Sequence, residues 1–221
     1  MILSVIIPAL NESACIREAV SRVGPFEIIV SDGGSADGTT EIARGLGLKV
    51  IEGKRGRGCQ MDEAARIAKG EVLLFLHADT MLPNGWFEAI ERALDDKRNV
   101  AGAFTLSFDS GELWFRFTEA VIRWRCRLLG LIYGDQAIFI RREAFFKAGG
   151  FNKLPLMEDV DCVKRLRKLG RVALLKEKVV TSRRKYRGGV LFNSLRNGLI
   201  LSLYYAGVSP DRLYSIYYKN R

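Results

Sequence analysis

The sequence predicts an α/β fold: a mostly parallel sheet flanked by helices, with a helical C-terminal extension. Three observations predict it. Short β-branched runs alternate with amphipathic segments through the first half of the chain. Each predicted strand is apolar at consecutive positions, as expected where helices cover both faces of a parallel sheet. The loops after the strands collect glycines, acids and cations, and ligands of such sheets bind beyond the carboxyl ends of the strands.

The first half is predicted to alternate strictly between strand and helix, which is typical of parallel pairing through right-handed crossovers. The predicted strands are Ile2–Ile7, Glu27–Ser31, Lys49–Glu52 and Val72–His77. The predicted helices between them are Glu12–Val23, Thr39–Leu46 and Gln60–Lys69.

The second half is predicted to be richer in helix. Its predicted strands are Val100–Phe108, Ala137–Arg141 and Val172–Thr181. Its predicted helices are Leu113–Leu129, Arg142–Ala148, Asp159–Leu169, Gly189–Ala206 and Pro210–Tyr218. No repeat or linker divides the chain, so we predict one domain over 1–221, with halves 1–110 and 111–188 followed by C-terminal helices over 189–221.

Composition excludes some classes of protein. The chain has 221 residues, 48% of them apolar and 27% charged, which indicates a globular domain rather than a disordered one. Its net charge of +10 favours a phosphate-bearing or polyanionic partner, or a membrane surface. Four scattered cysteines without a CxxC pair argue against a disulfide framework or a zinc site. The apolar start reads as a strand rather than a signal peptide, so we expect a cytoplasmic protein.

Asp32 follows an apolar strand and precedes Gly33 and Gly34. A carboxylate there could accept hydrogen bonds from a nucleotide base or ribose, with glycines allowing close approach. Asp-Gly and Gly-Gly are equally typical of turns, and Asp37 could cap the next helix. No GxGxxG follows the first strand, which weakens a dinucleotide-binding interpretation.

The loop Lys54–Arg57 carries three cations between glycines. Arginine forks such as Arg57 suit phosphate oxygens near a helix N-terminus. On its own, the pattern favours a solvated basic loop.

His77 and Asp79 end the predicted fourth strand. At i and i+2 on an extended backbone, both side chains would point to the same side. Asp79 could bind a divalent cation, Mn²⁺ or Mg²⁺, that also holds diphosphate oxygens. His77 could touch the metal, which would favour Mn²⁺, or bind ribose. The alternative is a polar strand end and a turn before Pro83.

Acids open the later helix candidate. Glu158 and Asp159 would be favourable there through the helix dipole alone, but a carboxylate beside a site could also act as general base. Gly134, Asp135 and Gln136 could bind acceptor hydroxyls or form a plain turn.

Together these segments resemble the family 2 glycosyltransferases, which have the Rossmann-like GT-A fold of nucleotide-diphospho-sugar transferases. The resemblance covers roughly Ile2 to Arg187 and rests on SVIIPALNE, VSDGGSADGT, LLFLHADT and LMEDVD. The segments GRGCQMDEAA and YGDQAIFIRR are similar to the radical-SAM/selenodomain-associated transferase subgroup.

The resemblance implies a nucleotide-sugar donor held by the first half and a divalent metal. By position, Pro8, Ala9, Glu12, Asp32 and Gly33 would contact the nucleotide. Asp79 matches the last acid of the family's Asp-x-Asp signature and would bind metal, with His77 in place of the first acid. The Gln-x-x-Arg-Trp motif of processive members is absent, so a single transfer is expected rather than polymer synthesis.

The implied mechanism is a direct, inverting displacement. Asp159, with Glu158 beside it, would deprotonate the acceptor hydroxyl near Gly134, Asp135 and Gln136. The metal and Arg57, with Arg183 or Arg184, would neutralise the departing nucleoside diphosphate.

The C-terminal part is strongly basic, with fifteen Lys or Arg after Cys162 against two acids. Leu113–Leu129 combines tryptophans and arginines, as does a helix on a bilayer surface. These features allow peripheral attachment to the inner face of an anionic membrane, or a lipid-linked acceptor. The favoured alternative is that Trp114, Phe117, Val121 and Leu128 pack on the core.

Two other classes of protein remain open. A nucleotidyltransferase would also use an α/β sheet, acids and a metal, but would release pyrophosphate. A non-catalytic binder would either bind nucleic acid through the basic C-terminal part or be a transferase-like relic that still binds a nucleotide. No nucleic-acid-binding signature accompanies that part, so no nucleic acid partner is expected.

Overall fold

The computed structural model describes residues 1–182 and 189–218, and eight strands run through that part of the chain. They are β1 (Leu3–Ala9), β2 (Glu27–Asp32), β3 (Lys49–Glu52), β4 (Val72–Phe75), β5 (Thr80–Met81), β6 (Asn99–Phe108), β7 (Ile138–Arg141) and β8 (Arg171–Thr181). They form one sheet in the order β3-β2-β1-β4-β7-β6-β8-β5.

The sheet is mostly parallel, as predicted. Strands β3, β2, β1 and β4 pair in parallel, and so do β6 and β8. Antiparallel pairing involves β7, which lies between β4 and β6, and β5 at the edge beside β8. The sheet therefore takes strands from both 1–110 and 111–188.

The helices confirm the predicted α/β class and the helical C-terminal extension. They are α1 (Ile16–Ser21), α2 (Thr39–Gly45), α3 (Arg57–Ile67), α4 (Trp86–Asp95), α5 (Leu113–Leu129), α6 (Arg142–Lys147), α7 (Glu158–Leu166), α8 (Val190–Tyr205) and α9 (Pro210–Tyr218). A short 3₁₀ helix over Gly134–Gln136 precedes β7. No helix of the described ranges is long and apolar enough to cross a membrane.

Apolar side chains cover both faces of the sheet, which explains the consecutive apolar positions in its strands. On one face, Val5 and Ile7 of β1 pack with Ile16 of α1 and Trp86 of α4. On the other face, Ile6 belongs to a cluster with buried side chains of α3, α6 and α7. The core thus has two halves, one on each side of the sheet.

Three predicted boundaries are wrong near the loops that follow strands. The first helix starts at Ile16 rather than Glu12, because Asn11 adopts φ +56° and the next residues bond to the loop after β2. Helix α3 begins at Arg57, three residues early, so this arginine belongs to a helix rather than a loop. Strand β4 ends at Phe75, two residues before the predicted end at His77.

Two elements have no counterpart in the prediction. Helix α4 buries Trp86, Ala89, Ile90 and Leu94, a helical spacing that the sequence does contain. Strand β5 has only two residues and is defined by its pairing, as in Thr80 opposite Thr181. Nothing local in a two-residue segment distinguishes such a strand from a turn.

The sequence favours packing of four apolar residues of α5 on the core, and this expectation is wrong. Trp114, Phe117, Val121 and Leu128 are 47–62% exposed. The helix instead buries Phe115, Thr118, Glu119 and Cys126. Burial of Glu119 is possible because its carboxylate accepts hydrogen bonds from the Ser107 hydroxyl and the Phe108 N–H and pairs with Arg116.

Candidate active site

The loops after β1 and β2 are joined by hydrogen bonds along their length. The Asn11 N–H donates to Ser35 Oγ, and the Ala36 N–H donates to Asn11 Oδ1, both at 2.9 Å. The Glu12 N–H donates to Thr39 Oγ1 at 2.9 Å. These bonds hold the two loops as one surface at the carboxyl end of the parallel strands.

The Asp32 carboxylate is buried and organises the turn that follows it. Its Oδ2 accepts hydrogen bonds from the N–H groups of Gly34 and Ser35 at 2.9 and 2.8 Å, and its Oδ1 accepts from the Ser35 hydroxyl. Of the two interpretations of Asp32, nucleotide contact and turn formation, its hydrogen bonds within the chain are those of a turn.

Asp37 joins the two loops rather than capping a helix alone. Its carboxylate accepts from the N–H and hydroxyl of Thr39, the first residue of α2, and from the Ser13 N–H at 3.0 Å. The hydrogen bond from the Thr39 hydroxyl is the main reason that the pKa of Asp37 lies well below its usual value.

Gln60 of α3 forms hydrogen bonds with the ends of both β1 and β2. Its buried amide nitrogen donates to the carbonyls of Ala9 and Ser31 at 2.8 and 2.7 Å. Its side chain also lies against Gly33, where an added Cβ would stand 3.0 Å from the amide nitrogen. The segment GRGCQMDEAA thus supports the loops that carry Asp32 and Gly33.

A cavity of about 200 Å³ is the second part of the candidate site, and its wall includes the first residue of α3, the helix that carries Gln60. It is lined from α3 by Arg57, from the end of β4 by His77, and from the region of the 3₁₀ helix by Tyr133, Gly134 and Asp135. The α7 end, β8 and the C-terminal helices complete it with Leu156, Met157, Glu158, Asp159, Thr181, Asn193, Arg196, Asn197, Ile200, Tyr217 and Tyr218.

Asp159 and His77 meet at Gly134. The Gly134 N–H donates to Asp159 Oδ2 at 2.6 Å. A Cβ added at Gly134 would stand 3.0 Å from His77 Nε2 and 3.3 Å from Asp159 Oδ2, so only glycine fits without displacing them. Residues distant in sequence thus place a carboxylate and an imidazole against one backbone unit.

Glu158 lies beside Asp159 but is more deeply buried, with 5% of its surface exposed. Its Oε1 is 3.9 Å from Arg57 Nε. Burial, with the charge of Asp159, raises the pKa of Glu158 to about 7, although the Arg57 charge opposes that rise. Gly58 allows the backbone to approach closely here, since an added Cβ would stand 2.8 Å from the Asn152 carbonyl oxygen and 3.2 Å from Glu158 Cβ.

The 3₁₀ helix divides the three predicted acceptor-binding residues between two environments. Gly134 and Asp135 line the cavity. Gln136 is buried in the core, where its amide donates to the Phe104 carbonyl and accepts from the Tyr133 N–H and the Cys126 thiol. Both ends of the Gln136 amide are therefore engaged within the protein.

His77 and Asp79 lie in a turn rather than on an extended strand, so the same-side argument for an i, i+2 pair does not apply. The Thr80 N–H donates to the His77 carbonyl at 3.0 Å. His77 lines the cavity, whereas Asp79 is buried outside its lining. In residues 1–182 and 189–218, no group of three or more His, Cys, Asp and Glu side chains could hold a metal ion.

That donor set fits a cation carried by a diphosphate better than an all-protein metal cage. One carboxylate and one imidazole come from a single turn, and both are mostly buried. Hard divalent cations commonly use one or two carboxylates and complete their coordination with phosphate oxygens and water.

The C-terminal helices contribute residues that sequence reasoning missed. Arg196 of α8 lies over the Tyr217 ring of α9 at 4.4 Å from its centroid and donates to Asn193 Oδ1 at 2.7 Å. In the sequence, Arg196 is one basic residue within an apolar run, and nothing local indicates that it would share a cavity with Arg57, 139 residues earlier. Arg183 and Arg184 lie outside the described residues.

Similar solved structures share this fold. Staphylococcus aureus TarS in complex with UDP-GlcNAc matches at a TM-score of 0.67 and 19% identity, over 83% of this chain and 59% of that one. Glucosyl-3-phosphoglycerate synthase from Mycobacterium tuberculosis, in complex with Mn²⁺, UDP-glucose and phosphoglyceric acid, matches at a TM-score of 0.57 and 22% identity, over 80% of this chain and 70% of that one. They confirm the GT-A architecture that the sequence predicts.

Sequence comparison agrees with the fold. The same M. tuberculosis synthase is 28% identical over 100 residues, which are 38% of this chain and 31% of the synthase. The matched part of this relative is thus about a third of its length. The family model described as glycosyl transferase family 2 matches residues 4–154, about two thirds of the chain. The chain belongs to glycosyl transferase family 2.

Proposed function

We propose that this chain transfers one sugar from a nucleotide-diphosphate donor to a hydroxyl acceptor, with inversion at the anomeric carbon and with Mn²⁺ or Mg²⁺ bound. The observation that carries the proposal is the meeting of Asp159 and His77 at Gly134 in a cavity that Arg57 of α3 also lines. Membership of glycosyl transferase family 2 supports sugar transfer rather than nucleotidyl transfer.

The donor nucleotide is assigned to the surface formed by the joined loops. Asp32 and Glu12, with the backbone of Pro8, Ala9 and Gly33, would bind its base and ribose. Gln60 is a positioning residue for this surface, because it holds the carbonyls of Ala9 and Ser31. UDP sugars are the first donors to test, since TarS and the glucosyl-3-phosphoglycerate synthase were solved with UDP-GlcNAc and UDP-glucose.

Asp79 and His77 are the residues that would hold the metal. When bound, a divalent cation supplies positive charge that stabilises the diphosphate as it leaves. Arg57 and Arg196 also line the cavity and supply positive charge of the chain's own. Glu158, whose Oε1 is 3.9 Å from Arg57 Nε, would position this guanidinium once its carboxyl group is ionised.

Asp159 is the proposed general base. The acceptor hydroxyl gives its proton to the Asp159 carboxylate, and the acceptor oxygen forms a bond to the anomeric carbon from the face opposite the leaving group. The bond between that carbon and the diphosphate oxygen breaks, and the nucleoside diphosphate leaves with the electron pair. One such displacement inverts the configuration.

The acceptor would lie against Gly134 and Asp135, the two members of the predicted trio that line the cavity. Gln136 is assigned a positioning role instead, because its amide is bound to Phe104, Tyr133 and Cys126. It fixes the 3₁₀ helix on which the other two stand.

Thermal shift measurements with nucleotide diphosphates and nucleotide sugars, with Mn²⁺, Mg²⁺ or EDTA, test the proposal. A donor at 100 times its Kd should add about 2.7 kcal/mol to the free energy of unfolding. We expect this stabilisation with metal and a much smaller one with EDTA or in Asp79→Asn. Absence of stabilisation by every donor would refute the proposal, and release of pyrophosphate in place of nucleoside diphosphate would indicate a nucleotidyltransferase.

A further inference from the structure

A second cavity, of about 270 Å³, lies between α5 and α8. Its walls are largely apolar and include Phe117, Val121, Leu195 and Leu201. Its inner end is polar, because Tyr133, Asp135 and Asn197 line it. We name this cavity the α5–α8 groove.

The groove shares a wall with the cavity that contains Asp159. Tyr133, Asp135 and Asn197 line both cavities, so the polar end of the groove stands against that wall. A ligand that filled the groove would therefore place one end at residues that also face the proposed base. This shared wall separates the groove from an isolated apolar patch on the surface.

Position 198 is a place from which a side chain could fill the groove. Gly198 lies in α8 and lines the groove, and a Cβ added there would meet nothing within 4 Å. Alanine would improve the intrinsic helix propensity of an interior helical position by about 1 kcal/mol. A bulky side chain at 198 has open space to enter, so this position can be used to fill the groove.

The surface around the groove is also apolar and carries cations. Phe117 is 57% exposed and Leu195 is 67% exposed, and Trp114 and Trp124 of α5 are exposed beside them. Arg127, on the same helix, is also exposed, and so is Arg116, whose charge is paired with Glu119. Tryptophan, aliphatic side chains and arginine together are typical of helices that lie at a lipid headgroup boundary.

We propose that the α5–α8 groove binds the hydrocarbon chain of an amphiphilic acceptor and places its hydroxyl-bearing end at Asp135 and Asp159. The proposal names the acceptor class for the transfer proposed above and depends on it. The gradient from apolar wall to polar inner end matches the polarity of an amphiphile. The cations of α5 match an acceptor that resides in an anionic lipid surface.

Calorimetric titration with hexyl, octyl and decyl β-D-glucosides, each below its micellar concentration and without nucleotide, tests the groove. Affinity should rise by up to about fourfold for each added methylene that becomes buried. Gly198→Phe should lower the affinity for octyl glucoside at least tenfold, and the matched control Gly198→Ala should stay within twofold of the unsubstituted protein. Leu195→Asp changes an exposed side chain and should weaken binding in the same way if Gly198→Phe fails to fold.

Other outcomes overturn the proposal. Affinity that is independent of chain length, or equal in Gly198→Phe and Gly198→Ala, would exclude the groove as the binding site. A dimer that dissociates in Gly198→Phe would show that a second copy of the chain covers the groove. A third outcome is that vesicles with 30% anionic lipid bind equally well to Gly198→Phe and to the unsubstituted protein, while no glucoside binds. The surface around the α5–α8 groove would then be a membrane contact only.

Nucleotide-sugar binding by the same variants separates this proposal from the proposed function. Gly198→Phe and Gly198→Ala should retain thermal stabilisation by the donor and metal. Glucoside binding without binding of any nucleotide sugar would refute the proposed transferase and with it the acceptor role, while the hydrocarbon site would stand. Nucleotide-sugar binding without glucoside binding would overturn the groove proposal alone.

Discussion

The backbone N–H of Gly134 donates a hydrogen bond to Asp159 Oδ2 at 2.6 Å. This bond joins the 3₁₀ helix before β7 to the first turn of α7, two segments 25 residues apart in sequence. It fixes one carboxylate oxygen at the cavity wall, beside the imidazole of His77. Backbone N–H groups thus contribute to orienting the proposed base, because the Val160 N–H also donates to its Oδ1.

Asp159→Asn should remove the proposed base with little change in the fold. Since general acid–base catalysis contributes typically about 10²–10⁴-fold, we expect the transfer rate to fall by that factor while donor affinity stays unchanged. Steady-state release of nucleoside diphosphate with a working acceptor measures it. Asp161→Asn is the control, because Asp161 pairs with Arg165 instead of lining the cavity. Undiminished turnover in Asp159→Asn would remove it from the role of base.

Gly134→Ala should displace Asp159 and His77 from their present positions. The new methyl group would stand 3.0 Å from His77 Nε2 and 3.3 Å from Asp159 Oδ2, closer than ordinary van der Waals contact. We expect kcat to fall by up to about tenfold, since the two side chains must give by a few tenths of an ångström and misplacement by about 1 Å can cost about 10²-fold. Gly45→Ala in α2 is the control, because a Cβ there meets nothing within 4 Å. Equal kcat in both variants would contradict the proposed geometry.

Glu158→Gln should change how stability depends on pH. The pKa of Glu158 is raised from 4.5 to about 7 by burial, so the folded state holds this proton at pH values where the unfolded state has lost it. Ionisation therefore lowers the free energy of unfolding as pH rises from about 4.5 to about 7, and no further above that. Glutamine cannot ionise, so its stability relative to glutamate should increase across this window. Urea unfolding at several pH values measures it, and parallel pH profiles would contradict the assignment.

Gln60→Leu should destabilise the protein and weaken donor binding together. Two buried carbonyls, those of Ala9 and Ser31, would lose the hydrogen bond from this amide, although the Ala9 carbonyl still accepts one from the Gly33 N–H. Since a typical intramolecular hydrogen bond contributes about 0.5–1.5 kcal/mol, we expect the loss of two to cost about 1–3 kcal/mol in urea unfolding. Arg66→Ala, on the exposed side of the same helix, should change stability by less than about 0.5 kcal/mol. A neutral Gln60→Leu would mean that the two loops do not depend on this amide.

Truncation of two aromatic residues of α5 should change the free energy of unfolding by very different amounts. Phe115 is buried and packs on Phe108, with ring centroids 5.1 Å apart, so Phe115→Ala should cost about 3–5 kcal/mol. Trp124 is 64% exposed, so Trp124→Ser should change the free energy of unfolding by less than about 0.5 kcal/mol. Chemical unfolding of both variants measures the difference. A large loss in Trp124→Ser would show that the tryptophan stripe packs within the fold.

Local sequence patterns determined most of the architecture. Apolar runs such as Val5–Ile7 predict strands covered on both faces, and their alternation with amphipathic segments predicts parallel pairing. The composition of the loops predicts that ligands bind at the carboxyl ends of the strands, because glycines, acids and cations follow the strands there. The acids at Glu158 and Asp159 are visible in the sequence for the same reason: they open a helix, and that position favours negative charge.

Tertiary structure alone decided which of those residues meet. Three contacts join separate segments of the chain. They are the hydrogen bond from the Gly134 N–H to Asp159, the contact of Arg57 with Glu158, and the packing of Arg196 over the Tyr217 ring. No local pattern encodes such distances, because they depend on how the helices pack on the sheet. The same holds for α5, which is apolar on two sides. Periodicity shows that it is amphipathic, but only packing against β6 and the buried contacts of Glu119 decided which side faces the core.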